Sequence, residues 1–318
     1  MKTRSPFLPL LCLLATVGQS CLIARVDDLS TAGRLNLGFI LSSLLGGCAN
    51  PDRIAFYSLV DGDNEIYSIK TDGTEFLQLT FNAVSDSEPA WSPDARTIVF
   101  ESNRSGNAGL YLIDADGSNE RALLVDGFQN RQPVYATDGK GIYFVSTRAG
   151  AFQEIFYLDF ASGQVFQITN SANTYDNISP AVSAGSDYIY FDTTLSGNDD
   201  IARIRKDGSG FEVIVSDINS DLEPTISPDG TIVLFSTDRD GNQEIYRSAA
   251  DGSGQTNLSN DAGNDAAPYF SPDGANIAFA SDRPISDLEI YTIGLSGSGL
   301  FQLTSNATLD SGPAWSCR

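Results

Sequence analysis

Short runs of hydrophobic residues alternate with polar turn sequences along most of this chain. Six of the runs read alike, IAFYS, IVFES, IYFVS, IYFDT, IVLFS and IAFAS, and they begin at Ile54, Ile98, Ile142, Ile189, Ile232 and Ile277. The spacings of 44, 44, 47, 43 and 45 residues define a sequence repeat. A period of this size without helical spacing is typical of a β-propeller or a solenoid.

Each repeat contains four predicted strands. In the fifth repeat the β-rich runs are EPTIS (223–227), TIVLFS (231–236), EIYRSA (244–249) and QTNLS (255–259), and turn sequences such as PDG and DGSG join them. Asp-Gly pairs recur in these turns, where Gly accepts a positive φ and Asp bonds the nearby backbone. The repeat therefore predicts an all-β fold with four-stranded blades.

The two ends of the repeat region complement each other. The first repeat begins at Arg53 with its second strand. The last repeat-like run, GPAWS (312–316), matches an inner strand that the other strands of a repeat do not follow. A C-terminal strand that joined the first blade would close the ring and leave no long exposed sheet edge there. We therefore predict one six-bladed β-propeller over residues 53–318, closed by the C-terminal strand.

The first 47 residues have the pattern of an export segment. Lys2 and Arg4 precede the apolar run FLPLLCLLATV (7–17), which resembles a secretory signal and is too short to span a membrane. A second apolar run ends in Leu-Gly-Gly-Cys at Cys48 and resembles a bacterial lipoprotein processing box. A translation start at a later codon, such as that of Leu29, would retain only this second run. We predict an exported periplasmic or outer-membrane lipoprotein, lipidated at Cys48, with a short tether over 48–52.

Cys48 has an alternative fate. Removal of the export segment would leave Cys48 and Cys317 as the cysteines of the mature chain. Both would lie at the same side of the closing blade, where a disulfide could lock the ring in an oxidising compartment. Lipidation and this disulfide exclude each other, and the sequence leaves both open.

The composition excludes several functional classes. The chain has 41 acidic and 19 basic residues and a net charge of −22, which becomes −24 without residues 1–47 because four basic and two acidic residues lie there. Such a surface repels nucleic acid and anionic lipid, so we expect membrane contact only through a lipid anchor. The chain contains no His, which excludes Ser-His-Asp and Cys-His relays.

A ring of polar residues is predicted at the mouth of the central channel. Three residues before the Pro of each inner strand the sequence has Asp86, Asn130, Asn177, Asp221, Asp265 and Asp310. By strand parity, loops on the same face add Asp63, Asp199, Asp240 and Asp287. These side chains could simply bond local backbone in a repeated turn. Alternatively, Asp86, Asp221, Asp265 and Asp310 could hold Ca²⁺ or Mg²⁺, or the ring could contact a basic or amide-rich peptide segment.

Two further residue types recur at fixed places in the repeat. Arginines follow the second strand at Arg104, Arg148, Arg239 and Arg283, where we expect them to pair with carboxylates of nearby loops. Trp91 and Trp315 end inner strands, and we expect them to pack in the core between blades.

The repeat resembles a known family. PAWSPDA (89–95), ISPDGTIVLFSTDRDGNQEIY (226–246) and FSPDGANIAFASDR (270–283) look like the WD-repeat-like motif of TolB-type propellers, which also occurs in relatives of prolyl oligopeptidase. The resemblance covers residues 53–316 and implies the six-bladed fold, but it is much less specific for function. It departs from both relatives, because the N-terminal domain of TolB and the G-x-S-x-G elbow with a partner His are not found here.

Three functions fit these patterns. We predict a non-enzymatic, monomeric protein-interaction module of the bacterial cell envelope, which presents an acidic channel face to envelope proteins and needs no cofactor. The first alternative is a calcium- or glycan-binding propeller. The second is a carboxylate-based glycan-active enzyme, which would need two carboxyl groups about 5 to 9.5 Å apart.

Overall fold

The computed structural model describes residue 50, residues 52–283 and residues 287–317. These residues form β-strands and no helix, so the described chain has no helix that is long and apolar enough to cross a membrane. The strands make six antiparallel sheets of four strands each. The prediction of an all-β, six-bladed propeller is confirmed.

The blades are numbered in chain order, and each is given from its innermost strand outward. Blade 1 contains β24 (Asp310–Trp315), β1 (Arg53–Ser58), β2 (Glu65–Lys70) and β3 (Leu77–Gln78). Blade 2 contains β4 (Asp86–Trp91), β5 (Thr97–Ser102), β6 (Gly109–Asp114) and β7 (Arg121–Leu124). Blade 3 contains β8 (Asn130–Tyr135), β9 (Gly141–Ser146), β10 (Glu154–Asp159) and β11 (Val165–Gln167).

The second half of the ring repeats this arrangement. Blade 4 contains β12 (Asn177–Val182), β13 (Tyr188–Thr193), β14 (Asp200–Arg205) and β15 (Glu212–Val215). Blade 5 contains β16 (Asp221–Ile226), β17 (Ile232–Thr237), β18 (Glu244–Ala249) and β19 (Thr256–Asn257). Blade 6 contains β20 (Asp265–Phe270), β21 (Asn276–Ser281), β22 (Glu289–Gly294) and β23 (Phe301–Gln302).

The hydrophobic core lies between neighbouring blades. Alternating residues of each second strand are fully buried and pack against the adjacent sheet, as Ile98 and Phe100 of blade 2 do against Ala55 and Ile66 of blade 1. Trp91 belongs to the same cluster. The partly buried Trp315 packs against the cluster between blades 1 and 6. The prediction that both tryptophans pack between blades is confirmed.

The C-terminal strand completes blade 1. β24 pairs with β1 in antiparallel register, with Ile54 opposite Trp315 and Ala55 opposite Ala314. At the end of the pair the Arg53 amide donates to Ser316 Oγ at 3.0 Å, and the Ser316 amide donates to the Arg53 carbonyl at 2.8 Å. The predicted closure is therefore confirmed.

The fifth repeat differs from the sequence alignment by one residue. Asp221 pairs with Thr237, as Asp86 pairs with Ser102 in blade 2, so Val233 rather than Ile232 corresponds to Ile98. Val233 is fully buried, whereas Ile232 is only partly buried. The prediction that Ile232 begins the equivalent run was wrong. Several consecutive residues here are apolar, so the sequence does not show which of them face the core, and a shift of one residue exchanges the two faces of a strand.

The export segment 1–47 and Cys48, the predicted lipidation residue, lie outside the described residues. Cys317, which directly follows β24, is disulfide-bonded. Its predicted partner, Cys48, is not among the described residues, so the pairing itself stays a prediction.

Candidate functional site

The six predicted ring residues begin the six inner strands, but their side chains are buried within the blades. All are at most 1% exposed, and none of them lines the central cavity. Asp86 accepts a hydrogen bond from Arg104 Nη2 at 2.6 Å, and Asp221 accepts one from Arg239 Nη2 at 2.6 Å. These ion pairs hold the first residue of an inner strand to the loop after the second strand of the same blade.

The other ring residues make similar local contacts. Arg283 pairs with Asp265. Asn130 Oδ1 accepts from Ser146 Oγ at 2.8 Å and from Arg148 Nη2 at 2.9 Å. Asn177 Nδ2 donates to Glu154 Oε2 of blade 3 at 2.9 Å, and Asp310 Oδ2 accepts from Asn306 Nδ2 at 2.7 Å. The ring therefore joins strands and loops through side-chain partners and not through the local backbone bonds of the first alternative, and a contact of the ring with a partner stays a prediction.

The acidic residues of the same-face loops lie on separate blades. Asp63 belongs to blade 1, Asp199 to blade 4, Asp240 to blade 5 and the half-buried Asp287 to blade 6. Asp240 accepts hydrogen bonds from Tyr246 Oη at 2.6 Å and Asn257 Nδ2 at 2.8 Å, and these bonds lower its pKa. Within the described ranges no three Cys, Asp or Glu side chains are grouped so that they could hold a metal ion.

The inner strands surround a central cavity of about 400 Å³. Its wall includes the six inner-strand prolines, Pro89, Pro133, Pro180, Pro224, Pro268 and Pro313, and the aromatic residues Trp91, Tyr135, Tyr269, Phe270 and Trp315. Most of this wall is therefore apolar.

A β-bulge in every inner strand turns one further residue toward the cavity. The register between each inner strand and its neighbour shifts at the inner-strand Pro and the residue before it. In blade 2, for example, the shift lies between Ser87 and Ala90. The six residues before the prolines have left-handed φ angles and line the cavity: Glu88 (52°), Gln132 (46°), Ser179 (53°), Glu223 (52°), Ala267 (51°) and Gly312 (63°). Bulges re-aim side chains in this way.

Four carboxyl groups meet around this ring. Glu88 and Glu223 lie on blades 2 and 5, which are opposite each other, and Glu101 and Asp192 lie on second strands beside the bulges. Glu101 Oε2 accepts from the Gln132 amide at 3.3 Å, and Glu223 Oε2 accepts from the Ala267 amide at 2.7 Å. None of these four residues was predicted from the sequence, although two of them, Glu88 and Glu223, are acids directly before an inner-strand Pro.

Asp192 is the most deeply buried of these four carboxyl groups. Its side chain is 1% exposed, and a hydrogen bond with the Ser179 hydroxyl partly offsets the cost of that burial. It lies close enough to Glu223 for the two charges to repel each other, and near the Ser179 hydroxyl. A buried carboxyl group with so few donors is costly to ionise, so this position favours an additional donor.

Burial shifts the pKa values of the channel carboxyl groups upward. It raises the pKa of Glu88 to about 8, with repulsion from Glu223 and Glu101 adding to the effect. Burial also raises the pKa of Glu101 and of Glu223, and it holds that of Asp192 well above its ordinary value. The side chain of Glu223 is open to the cavity, but protein surrounds it in most directions. Desolvation is therefore still the largest cause of its raised pKa.

The stability of the protein is expected to fall as pH rises from about 5 to 8. In the unfolded chain Glu88 releases its proton near its ordinary pKa of 4.5, whereas the folded chain retains it up to about 8. Between these values the folded state binds more protons, so the free energy of unfolding decreases with rising pH. Glu65 and Glu289, whose pKa values burial raises to about 7, contribute with the same sign.

Urea unfolding of Glu88→Gln at pH 5 and pH 8 isolates the part due to Glu88. The charged groups that raise the pKa of Glu88 are the carboxylates of Glu223 and Glu101. Arg131 Nη1 lies 3.6 Å from Glu101 Oε1, so its positive charge offsets part of the charge of Glu101. We expect the variant to gain stability relative to the natural protein at pH 8 and not at pH 5. Asp240→Asn serves as the control, and an equal difference for Glu88→Gln at both pH values would refute the expectation.

Comparison with known proteins identifies related sequences and folds. The TolB beta propeller domain family matches residues 48–174 and 107–266. TolB from Acinetobacter baumannii superimposes with a TM-score of 0.73 at 20% identity over 89% of this chain and 71% of that one. Putative TolB from Agrobacterium tumefaciens gives 0.68 at 17% identity, covering 82% and 91% of the two chains.

A third solved structure shows how widely the fold is used. Kuenenia stuttgartiensis hydrazine synthase gives a TM-score of 0.67 at 14% identity, over 91% of this chain and 50% of that chain. At these identities the three structures support the fold alone. No curated protein matches the sequence.

Proposed function

The chain belongs to the TolB beta propeller domain family, and from this premise we propose that it is a non-enzymatic protein-interaction module of the bacterial cell envelope. The observation that carries the proposal is the central cavity, where an apolar wall of prolines and aromatic rings meets the carboxyl groups of Glu88 and Glu223. Concave sites of this kind, mostly apolar with a few polar groups, are typical binding sites.

The same features favour binding over catalysis. The chain has no His for a relay or a general base. The carboxyl groups around the cavity lie on blades 2, 4 and 5, and each has a raised pKa for the same reason, burial. A glycosidase needs two carboxyl groups with opposed tasks, one kept as an acid and the other ionised. The proposed place in the envelope rests on the export segment predicted for residues 1–47.

Cross-linking in intact cells tests the proposed function. The full-length protein, with a photoreactive residue in place of Thr137 on the cavity wall, should form a covalent adduct with an envelope protein. The same residue placed at Ser118, in the turn before the outer strand of blade 2, is the control and should give no adduct of that mass. Equal adducts at both positions, or none at either, would refute the proposal.

We propose further that the protein is exported and that Cys48 becomes the first residue of the mature chain. If Cys48 is lipidated, as the processing box predicts, intact-mass measurement of the protein from a membrane fraction should show an N-terminal Cys48 carrying a diacyl or triacyl group. A mass lower by two protons than that of the reduced, unlipidated chain would instead assign a disulfide. Because Cys317 is disulfide-bonded in the structure, this second result would identify Cys48 as its partner and rule out lipidation.

A further inference from the structure

We propose that the central cavity receives a lysine or arginine side chain of the partner protein. This inference rests on the proposed binding function and names the chemical group that is bound. It follows from the two kinds of surface that the cavity brings together.

The wall of the cavity suits the apolar part of such a side chain. The six inner-strand prolines and aromatic residues such as Trp91 and Phe270 surround a volume of about 400 Å³. Lysine and arginine bury a stem of three or four methylene groups along apolar surface while the charged group reaches a polar site. A small hydrated ion would gain nothing from such a wall.

The ring of bulge residues suits the charged end. Glu88 and Glu223 face the cavity from opposite blades, and Asp192, which is 1% exposed, lies behind Ser179 and shares a hydrogen bond with its hydroxyl. No Lys or Arg in the described part of the chain forms an ion pair with Glu88, Asp192 or Glu223. A charged donor from outside would therefore provide these groups with their first cation.

The spacing of the carboxyl groups favours an organic cation over a metal ion. They belong to three different blades, and no three acidic groups among the described residues are close enough to surround one ion. A guanidinium group carries five donors in a planar fork, and an ammonium group carries three donors on a flexible stem. Either can bond carboxyl groups that point from different directions.

Calorimetric titration of the full chain with a short peptide tests the proposal. The probe is acetyl-Gly-Gly-Arg-Gly-Gly-amide, and the matched probe carries citrulline, a neutral group of the same shape, in place of arginine. We expect the arginine peptide to bind at least about tenfold more tightly than the citrulline peptide. Glu88→Gln and Glu223→Gln should each weaken binding of the arginine peptide by about tenfold or more.

The control variant is Glu212→Gln, which removes an exposed carboxylate that pairs with Arg203 at the outer strand of blade 4. It should leave binding unchanged, and a thermal melt shows whether each variant is folded. Equal affinity for the two peptides, or loss of binding equal in all three variants, would overturn the proposal. So would tight binding of calcium chloride that depends on Glu88 and Glu223 when neither peptide binds, because the site would then be a metal site.

The two proposals fail in different ways. A specific cross-linked partner without peptide binding would leave the interaction function standing and overturn the recognition of a cationic side chain. Binding of the arginine peptide without any cross-linked partner in cells would support the chemistry of the cavity and refute the proposed cellular function.

Discussion

Replacing Arg239 with Met is expected to lower the free energy of unfolding by about 3 to 5 kcal/mol. Arg239 Nη2 lies 2.6 Å from Asp221 Oδ1, and Asp221 is fully buried at the start of β16. The guanidinium also lies 4.8 Å from the centre of the Tyr246 ring. Met can keep much of the packing on that ring. The loss of stability therefore measures the cost of leaving the buried carboxylate of Asp221 without its cation. Urea unfolding followed by circular dichroism measures it.

Two further variants separate the ion pair from ordinary surface effects. Arg239→Met combined with Asp221→Leu removes both charges, and we expect it to recover most of the lost stability. Lys140→Met removes a pair whose side chains are 75% and 54% exposed, and we expect a change of less than about 1 kcal/mol. If Arg239→Met cost no more than Lys140→Met, the ring residues would not be important for stability.

Blades 1 and 4 lack the arginine and use an aromatic ring in its place. Val60 and Leu195 stand where the other four blades have Arg. In blade 1 the Phe76 ring lies 5.1 Å from that of Tyr67, and in blade 4 the Phe211 ring lies 6.0 Å from its aromatic neighbour in β13. A phenylalanine directly before the outer strand thus covers the rings that arginine covers elsewhere.

The blades that have the arginine carry other residues at the position of that phenylalanine. In blade 2 it is Glu120, which pairs with Arg104, and in blade 5 it is Gln255, which accepts from Arg239 Nη1 at 2.5 Å. In blades 3 and 6 it is Val165 and Leu300. Blades 1 and 4 thus exchange Arg for an aliphatic residue together with Phe, whereas the arginine occurs with either a polar or an aliphatic residue at this position. The sequence irregularity at Leu195 reflects this exchange and is not a loss of the blade.

The fold could be predicted because its information is local and repeated. Each blade is a set of hairpins, so β-rich runs and Asp-Gly turns specify it within one period. Closure required only that the last strand complete the first blade, and the GPAWS run at 312–316 matches the inner strands of the other repeats. The start of each inner strand could be counted back from a Pro, which is why the six ring positions were placed correctly along the chain.

The direction of the side chains could not be predicted, because it depends on the bulge. In a regular strand Asp86 and Glu88 would lie on the same face. The bulge at Glu88, with a φ of 52°, breaks this alternation, so Asp86 is buried in the blade while Glu88 lines the cavity. A residue before Pro is normally extended, so sequence patterns give no reason to expect a left-handed conformation there. No residue type is common to all six bulge residues, so an alignment of the repeats does not reveal the position.

Ending the chain at Leu309 is expected to abolish cooperative unfolding. The truncation removes β24, so the edge of β1 loses its partner and blade 1 loses its inner strand. It also removes Ala314 from the core between blades 1 and 2 and Trp315 from the contact with blade 6. A ring whose closing strand is missing exposes both an apolar surface and an unpaired edge, which favours aggregation. Thermal melting by circular dichroism and gel filtration would show the loss.

Two controls show whether the strand or the disulfide closes the ring. Cys317→Ser keeps β24 and removes the disulfide of Cys317, so it should lower the melting temperature and leave a single cooperative transition. A permuted chain that carries residues 306–317 directly before residue 50 restores the strand to blade 1 and should unfold cooperatively. If the truncated chain still melted in one transition near the temperature of the full chain, the pairing of β24 with β1 would not be the closure on which the propeller depends. A failure of Cys317→Ser alone to fold would move that role from the strand to the cross-link.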